Sequence, residues 1–97
     1  MNFTGDERKN RGNIAKHRLD FRDAAELFEG PLLSALDDRE MYNEERWIGI
    51  GFLKGRVVVV AYAEPDDETI RVISLRKALS HERRRFEEFL RDRLDED

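Results

Sequence analysis

Six basic side chains, Arg71, Arg76, Lys77, Arg83, Arg84 and Arg85, fall within fifteen consecutive positions. Arginine presents paired N–H groups in a fixed plane that matches phosphate oxygens, so this density points to recognition of a phosphate backbone. A second constellation, Asp6, Lys9, Asn13, Lys16 and His17, lies near the start of the chain. At ~100° per residue these five occupy an arc of roughly 100° on one helix face. The ammonium groups of Lys9 and Lys16 can neutralise phosphate oxygens. The imidazole of His17, with an unperturbed pKa of about 6.5, titrates near neutrality. Together they suit phosphate chemistry; the plainer alternative is an ordinary solvated helix face.

For the arginine run the plainer alternative is salt bridging. Arg83–Glu87 and Arg84–Glu88 are i,i+4 pairs, each worth a few tenths of a kcal/mol. The order of charges runs against that alternative. A helix macrodipole favours acids at the N-terminus and bases at the C-terminus, yet this segment opens with arginines and ends in Asp92, Asp95, Glu96 and Asp97. A helix tuned for stability alone would be written the other way round. Strict alternation along the preceding strand puts Arg71 and Lys77 on one face and Arg76 on the other. His81 reads as an exposed first-turn residue, and Trp47 as a packed or partly exposed sheet residue rather than a base-stacking platform.

The elements that carry these residues follow from periodicity and turn chemistry. Phe3 suits a short edge strand. Asp6 is an N-cap for a helix to about Lys16, weakened at Gly12 by roughly 1 kcal/mol relative to Ala. Asp20 caps a second helix over Phe21–Glu29, and Gly30-Pro31 stops it, with Gly at the C′ position. Leu32–Leu36 is a short apolar strand. Glu45–Leu53 alternates Ile48, Ile50 and Phe52 with Trp47, Gly49 and Gly51, and the two glycines leave room for another backbone or a partner helix. Lys54-Gly55 turns the chain into Arg56–Ala63, and Pro65-Asp66-Asp67 turns it again into Thr69–Lys77. Ser80 caps a last helix with a Phe86, Phe89, Leu90, Leu94 stripe. Asp37–Asn43 reads as a polar loop. The expected fold is α+β: about four antiparallel strands packed with two N-terminal helices and one C-terminal helix.

With 97 residues, 39% of them hydrophobic, the chain can bury one core, and 41% charged residues must clothe nearly all its surface. The whole of residues 1–97 is therefore expected to be a single domain with a frayed acidic tail at 92–97. No segment approaches the ~20 apolar residues of a bilayer span, so no membrane is implied. Charges throughout residues 1–20 argue against a secretory signal and point to a cytoplasmic protein. The absence of Cys excludes disulfide scaffolds and Cys-ligated zinc, and the two His lack metal-ligand spacing, so no metal or other cofactor is expected. The net charge of −4 conceals an uneven distribution: residues 68–86 sum to +4 and residues 87–97 to −4.

The stretch from Ile70 to Phe89, IRVISLRKALSHERRRFEEF, resembles the C-terminal signature of the BrnT-type toxins of bacterial type II toxin–antitoxin systems. There, a strand ending I-S-x-R-K-A precedes a helix opening E-R-R. Asp6, Lys9, Asn13, Lys16 and His17 fit the same family's D-x-x-K-x-x-x-N-x-x-K-H pattern, Phe21 follows, and Glu45-Arg46 matches a family E-R pair. The resemblance covers roughly residues 3–89. Two positions depart from it. Gly5 stands where the family commonly has Trp, which removes a packing anchor and leaves residues 1–5 loosely held. Arg18 stands where it commonly has Gly, placing a bulky residue at a helix end.

The resemblance implies the RelE-like fold of small ribonuclease toxins. It also implies metal-independent RNA cleavage, inhibition of translation, and neutralisation by a cognate DNA-binding, BrnA-like antitoxin in a higher-order toxin–antitoxin complex. The chemistry would be attack of a ribose 2′-OH on the adjacent phosphate, which needs a base, an acid and positive charge on the phosphate. His17 or Glu45 is the candidate for proton transfer. Lys9, Lys16, Arg46, Arg76, Lys77 and Arg83 are candidates for phosphate stabilisation, with Arg71 and Arg84 adding to the RNA-binding surface. The alternative is a catalytically degenerate module that keeps antitoxin binding, which Gly5, Arg18 and the acidic balance favour.

The acidic tail gives the first expected outcome. Deleting residues 92–97 should strengthen binding of single-stranded RNA, more so at low ionic strength where like-charge repulsion is least screened. A salt series of binding curves for the two proteins checks it.

Overall fold

A short parallel strand pairing, invisible to local pattern, completes the sheet on which the fold is built. The computed structural model describes residues 1–39 and 43–95. In chain order the elements are β1 (Asn2–Gly5), α1 (Glu7–His17), a 3-10 turn at Phe21–Asp23, α2 (Ala25–Glu29), β2 (Leu32–Leu36), β3 (Trp47–Leu53), β4 (Arg56–Asp66), β5 (Thr69–Lys77) and α3 (Ser80–Asp95). The sheet has five strands in the order β1-β5-β4-β3-β2. The β2–β3, β3–β4 and β4–β5 pairs are antiparallel, as short connections require. β1 lies parallel to β5, with Asn2 opposite Thr69 and Gly5 opposite Val72. The expected all-antiparallel sheet of four strands is thus corrected to a mixed sheet of five.

Gly5 contributes to that pairing. A Cβ at this position would meet Phe21 Cδ2 at 2.9 Å, so the glycine lets the Phe21 ring close over the strand. Residues 2–5 are held as a strand and are not loose. The second helix also differs from expectation. Asp20 accepts from the Arg22 N–H at 2.9 Å, but the bonds that follow are of the i+3 kind, Asp23 N–H to Asp20 and Ala24 N–H to Phe21. They tighten the segment into a 3-10 turn before the five-residue α2. Gly30 ends α2 in an extended conformation rather than a left-handed one.

The two faces of the sheet have different covers. The α1–turn–α2 layer lies over one face, where Leu19, Phe21, Ala24 and Leu27 pack with Leu53, Val58, Val60, Tyr62, Ile70, Val72 and Leu75. Among the described residues the other face packs against α3, where Ile50, Val59, Ala78 and Phe86 join Leu33, Ile48, Val57, Phe89 and Leu90. The alternation expected in β3 holds, and the space beside Gly49 and Gly51 is filled from within the chain by Leu32 and Leu27. Trp47 is half-buried against the first of these cores. No helix among the described residues is long and apolar enough to cross a membrane.

Two buried asparagines fasten α1. Asn13 donates to Leu19 O at 2.8 Å and accepts from the Leu75 N–H at 3.1 Å. β1 stops opposite Val72, so Asn13 supplies the acceptor that a longer β1 would have offered to Leu75. Asn10 accepts from the Phe21 N–H and donates to Asp20, both at 2.9 Å. Each such bond is worth about 1 kcal/mol net, and more is lost if a buried partner is orphaned.

α1 ends on Arg18 at φ 61°, ψ 30°, its N–H bonded to Ile14 O. This is the left-handed C-cap that Gly adopts without a Cβ penalty. Arg18→Gly should therefore stabilise the protein, by up to about 1 kcal/mol once glycine's extra unfolded-state freedom is subtracted. Thermal unfolding should show a rise in Tm of a few degrees, since ~1 kcal/mol moves a domain of this size by about 4–8 °C.

Candidate nucleic-acid interface

β5 carries one residue more than β4 can pair. Ala61 lies opposite Ser74 but Tyr62 lies opposite Val72, so Ile73 is the extra residue of a bulge. A bulge shifts the alternation by one position. Ile70 and Val72 face the α1–α2 layer before it, and Leu75 faces the same layer after it. Arg71 and Arg76 consequently share the α3 face, Arg76 lying opposite Val59. Lys77, opposite Val58, belongs to the other face. The expected grouping of Arg71 with Lys77 is reversed for this reason.

On the α3 face, a groove of about 320 Å³ runs between β2 and the start of α3. Leu33, Ile48 and Ile50 form its apolar floor, and Arg39, Arg76, Glu82 and Arg85 stand around it with Asp37 and Asp38. Two of the arginines are held in place. Arg76 makes a two-pronged pair with Glu82, Nη1 to Oε1 at 2.7 Å and Nη2 to Oε2 at 2.8 Å. Arg39 Nε and Nη2 donate to the buried Asp37 carboxylate at 2.8 and 3.1 Å. With three cations and three carboxylates around it, the groove offers directed donors rather than net positive charge.

Glu82 also begins α3. Arg83 N–H bonds to Leu79 O, so the residue in the N-cap position is Leu79, not Ser80. Leucine has no side-chain acceptor, and Glu82 compensates by accepting from the Leu79 N–H at 2.8 Å. This is the returning half of a capping box. One carboxylate, 13% exposed, therefore ties the helix start to β5. The Arg76 bond, opposed by burial and helped by the Leu79 N–H, holds the Glu82 carboxyl down at about 2, and Glu82 in turn raises Arg76 above its ordinary value.

The remaining sequence candidates are dispersed. Arg71 pairs with Glu44. Arg46, half-buried just before β3, accepts through its carbonyl from the Asp37 N–H at 2.7 Å, and Glu45 beside it is exposed. His17 is half-buried in the last turn of α1, and Lys9 and Lys16 are exposed on the same helix. None of these lines the groove among the described residues. Asn13, read from sequence as part of a chemical stripe, is buried and engaged in holding α1. Asp6 accepts from the Lys9 N–H at 3.0 Å as the N-cap. Arg84 and His81 are exposed on α3. Lys77 and Arg83 meet instead at a second cavity, beside Arg56. Of the polar loop expected at Asp37–Asn43, residues 40–42 lie outside the described residues. The acidic end of the chain is helical and exposed as far as Asp95, with residues 96 and 97 outside the described residues.

Glu82, Asp37 and Arg39 were not among the sequence candidates, and Arg85 was read only as part of the arginine run. A signal existed for Glu82, an acid two residues into a helix whose cap is apolar. Asp37 and Arg39 gave none, because two residues apart in a loop they read as ordinary solvated charge.

A small α+β domain with guanidinium groups braced over one sheet face is the class that fold and site define. Residues 6–82 match the sequence model of the family described as ribonuclease toxin, BrnT, of type II toxin–antitoxin system, and the chain belongs to that family. It is similar to the Brucella abortus ribonuclease toxin BrnT, solved by crystallography at 1.1 Å. The two share 32% identity and a TM-score of 0.63, over 82% of this chain and 99% of that one. No curated protein matches it.

The Glu82 brace makes stability depend on acid. Its folded pKa lies below the ordinary 4.5, so its contribution is complete above about pH 4.5 and disappears as pH falls through about 2. Glu82→Gln should melt below the wild type at neutral pH, and the gap should close across that interval. Melting curves at a series of acid pH values check it.

Proposed function

We propose that this chain cleaves RNA as a type II toxin, by attack of a ribose 2′-OH on the adjacent phosphate that breaks the P–O5′ bond, leaving a 2′,3′-cyclic phosphate and a protonated 5′-hydroxyl, and is neutralised by a cognate antitoxin. The observation that carries this reading is Arg76. Glu82 occupies one N–H of each terminal nitrogen and the Lys77 carbonyl accepts from Nη1 at 3.4 Å, so three of the guanidinium's five N–H groups are used. Donors remain for a phosphate, on a side chain whose orientation is already fixed. Electrostatic catalysis works best with donors ordered before the substrate arrives, because no reorganisation is then needed in the transition state.

Arg85, on the same side of the groove, is the second phosphate ligand in this reading. The apolar floor of Leu33, Ile48 and Ile50 lowers the local polarity and strengthens both contacts. Glu82 is a positioning residue: a carboxylate with a pKa near 2 is too weak a base to take a hydroxyl proton at neutral pH. Proton transfer at the groove falls to Glu45, which lies just before β3, with Arg46, Arg71 and Arg84 guiding the strand, whereas His17, Lys9 and Lys16 stand on α1 over the other face and would meet the RNA only away from Arg76. Intramolecular attack by a 2′-OH asks for charge neutralisation and proton transfer, both of which side chains supply, so no metal is required. Cleavage of messages in the cytoplasm would stop translation, and the RelE-like grouping fits a sheet face used as the catalytic surface.

The test is cleavage of single-stranded RNA by the purified chain in EDTA. Arg76→Ala should lower the rate by roughly 10²–10³, the usual cost of removing one transition-state donor, and Arg76→Lys should recover only part of it because a single ammonium cannot reproduce the fork. Glu82→Gln beside them separates loss of folding from loss of chemistry. EDTA-sensitive cleavage restored by a divalent metal would overturn the metal-free mechanism. Full activity in a folded Arg76→Ala protein would remove the groove from the reaction.

A further inference from the structure

Where β5 ends, the chain builds a second concave site, on the far side of Lys77 from Arg76. A cavity of about 330 Å³ is lined by Gly55, Arg56, Val57, Lys77, Ala78 and Arg83. Its volume is roughly ten times the ~30 Å³ that a water molecule occupies in the liquid, enough for a phosphate with an attached sugar. The cavity has a rigid frame. The Lys54-Gly55 turn sets one side, with Lys54 at φ 51° and Gly55 at φ 77°. The Ala78 N–H bonds Val57 O at 3.0 Å and closes the other.

Its charge distinguishes it from the groove. Three of its six lining residues are cations and none is acidic. Around the groove the cations are partly neutralised, Arg39 by Asp37 and Arg76 by Glu82, as Arg22, Lys54 and Arg71 are by Glu7, Asp23 and Glu44. Among the described residues, Arg56, Lys77 and Arg83 form no ion pair. The Arg83–Glu87 pair that helix spacing allows is not made, and Arg83 donates to Ser80 Oγ at 3.3 Å instead. Acids outnumber bases in this chain by 22 to 18, so partners were plentiful. Three like charges around one cavity repel one another, and the arrangement lowers stability unless an anion fills it.

Resting on the ribonuclease reading, we propose that this cavity is a phosphate subsite: Arg56, Lys77 and Arg83 hold one backbone phosphate of the RNA, beside the one at Arg76. Arg76 and Lys77 are consecutive in β5, and the cavity lies at the end of that strand between the start of β4 and the start of α3, so a strand passing over the end of β5 meets the groove and then this cavity. The groove is charge-balanced and supplies direction; the cavity carries the uncompensated charge and supplies attraction.

Two measurements on the full chain test the subsite. In the first, inorganic phosphate is titrated into the isotopically labelled protein. The amide resonances of Gly55, Val57 and Ala78 should shift in a saturable way at millimolar phosphate, and Arg56→Ala should weaken that response. Absent shifts, or shifts spread evenly over all exposed cations, would overturn the proposal whether or not the chain cleaves RNA. In the second, a short single-stranded RNA is bound over a salt series. Losing one phosphate contact should reduce the log–log salt slope by about 0.7 in the Arg56→Ala/Lys77→Ala/Arg83→Ala protein. A control of the same net charge, Arg8→Ala/Arg11→Ala/Arg91→Ala, should keep the wild-type slope. Equal losses in both would make the effect one of overall charge and refute the subsite. RNA neither bound nor cleaved by the wild type would refute the ribonuclease reading, while the phosphate shifts would still decide the cavity.

Discussion

A single unpaired residue in β5 decides which way every charge on that strand points. Without the bulge at Ile73, Arg71 and Arg76 would lie on opposite sides of the sheet, and Leu75 would leave the core it shares with Val72. With it, the apolar side chains on both sides of the bulge serve one core and the two arginines share the α3 face. The constraint comes from the hydrophobic residues, because burial of Ile70, Val72 and Leu75 on one side permits no other register. The charged groups take the positions that remain. Bulges near binding surfaces commonly re-aim side chains in this way.

α3 depends on the same strand. Among the described residues its packing on the sheet runs through Phe86, Phe89 and Leu90, while Leu94 is 75% exposed. The first turn has an apolar residue at the cap and is followed directly by three arginines, so by helix energetics it should fray. Glu82 counters this by accepting from Leu79 and gripping Arg76 together. The edge-on contact of Phe52 with Phe86, with ring centres 5.0 Å apart, anchors the next turn to β3. A helix start unfavourable on its own is thus held by the residue that also orients the groove's central arginine, which couples the stability of α3 to the geometry of the site.

The sequence revealed most of the elements because their signals are local. The Lys54-Gly55 turn, the alternation in β3, the Asp6 cap and the apolar stripe of α3 each depend on residues within a few positions of one another. What it concealed was long-range or parity-dependent. β1 has four residues and one large apolar side chain, and its partner lies more than sixty positions away, so its parallel pairing leaves no local trace. The bulge is equally silent: Ile73 is one more apolar residue in an apolar strand. For the site, residue types were legible and groupings were not. Arg76 and Lys77 looked like one pair and serve two surfaces. Asn13 looked chemical and is structural, since an amide that both donates and accepts is what the abandoned edge of β5 beyond β1 requires.

Net charge is a poor guide to a chain of this kind. At −4 the molecule should repel a polyanion at long range, yet fields beyond ~8 Å are screened at physiological salt, and what an RNA strand meets on contact is local. Some of the acidic residues neutralise individual cations, others cap helices and turns, and a group collects at the exposed end of α3. Pairing with Glu82 lowers the attraction of Arg76 for phosphate while improving its aim. A site made only of such pairs would be selective but weak. The unpaired cations at Arg56, Lys77 and Arg83 restore attraction a short distance away, without loosening the arginine whose position the chemistry requires. Capture and orientation are thereby assigned to different residues, and the end of one strand, where consecutive side chains must diverge, is where the two roles can lie closest together.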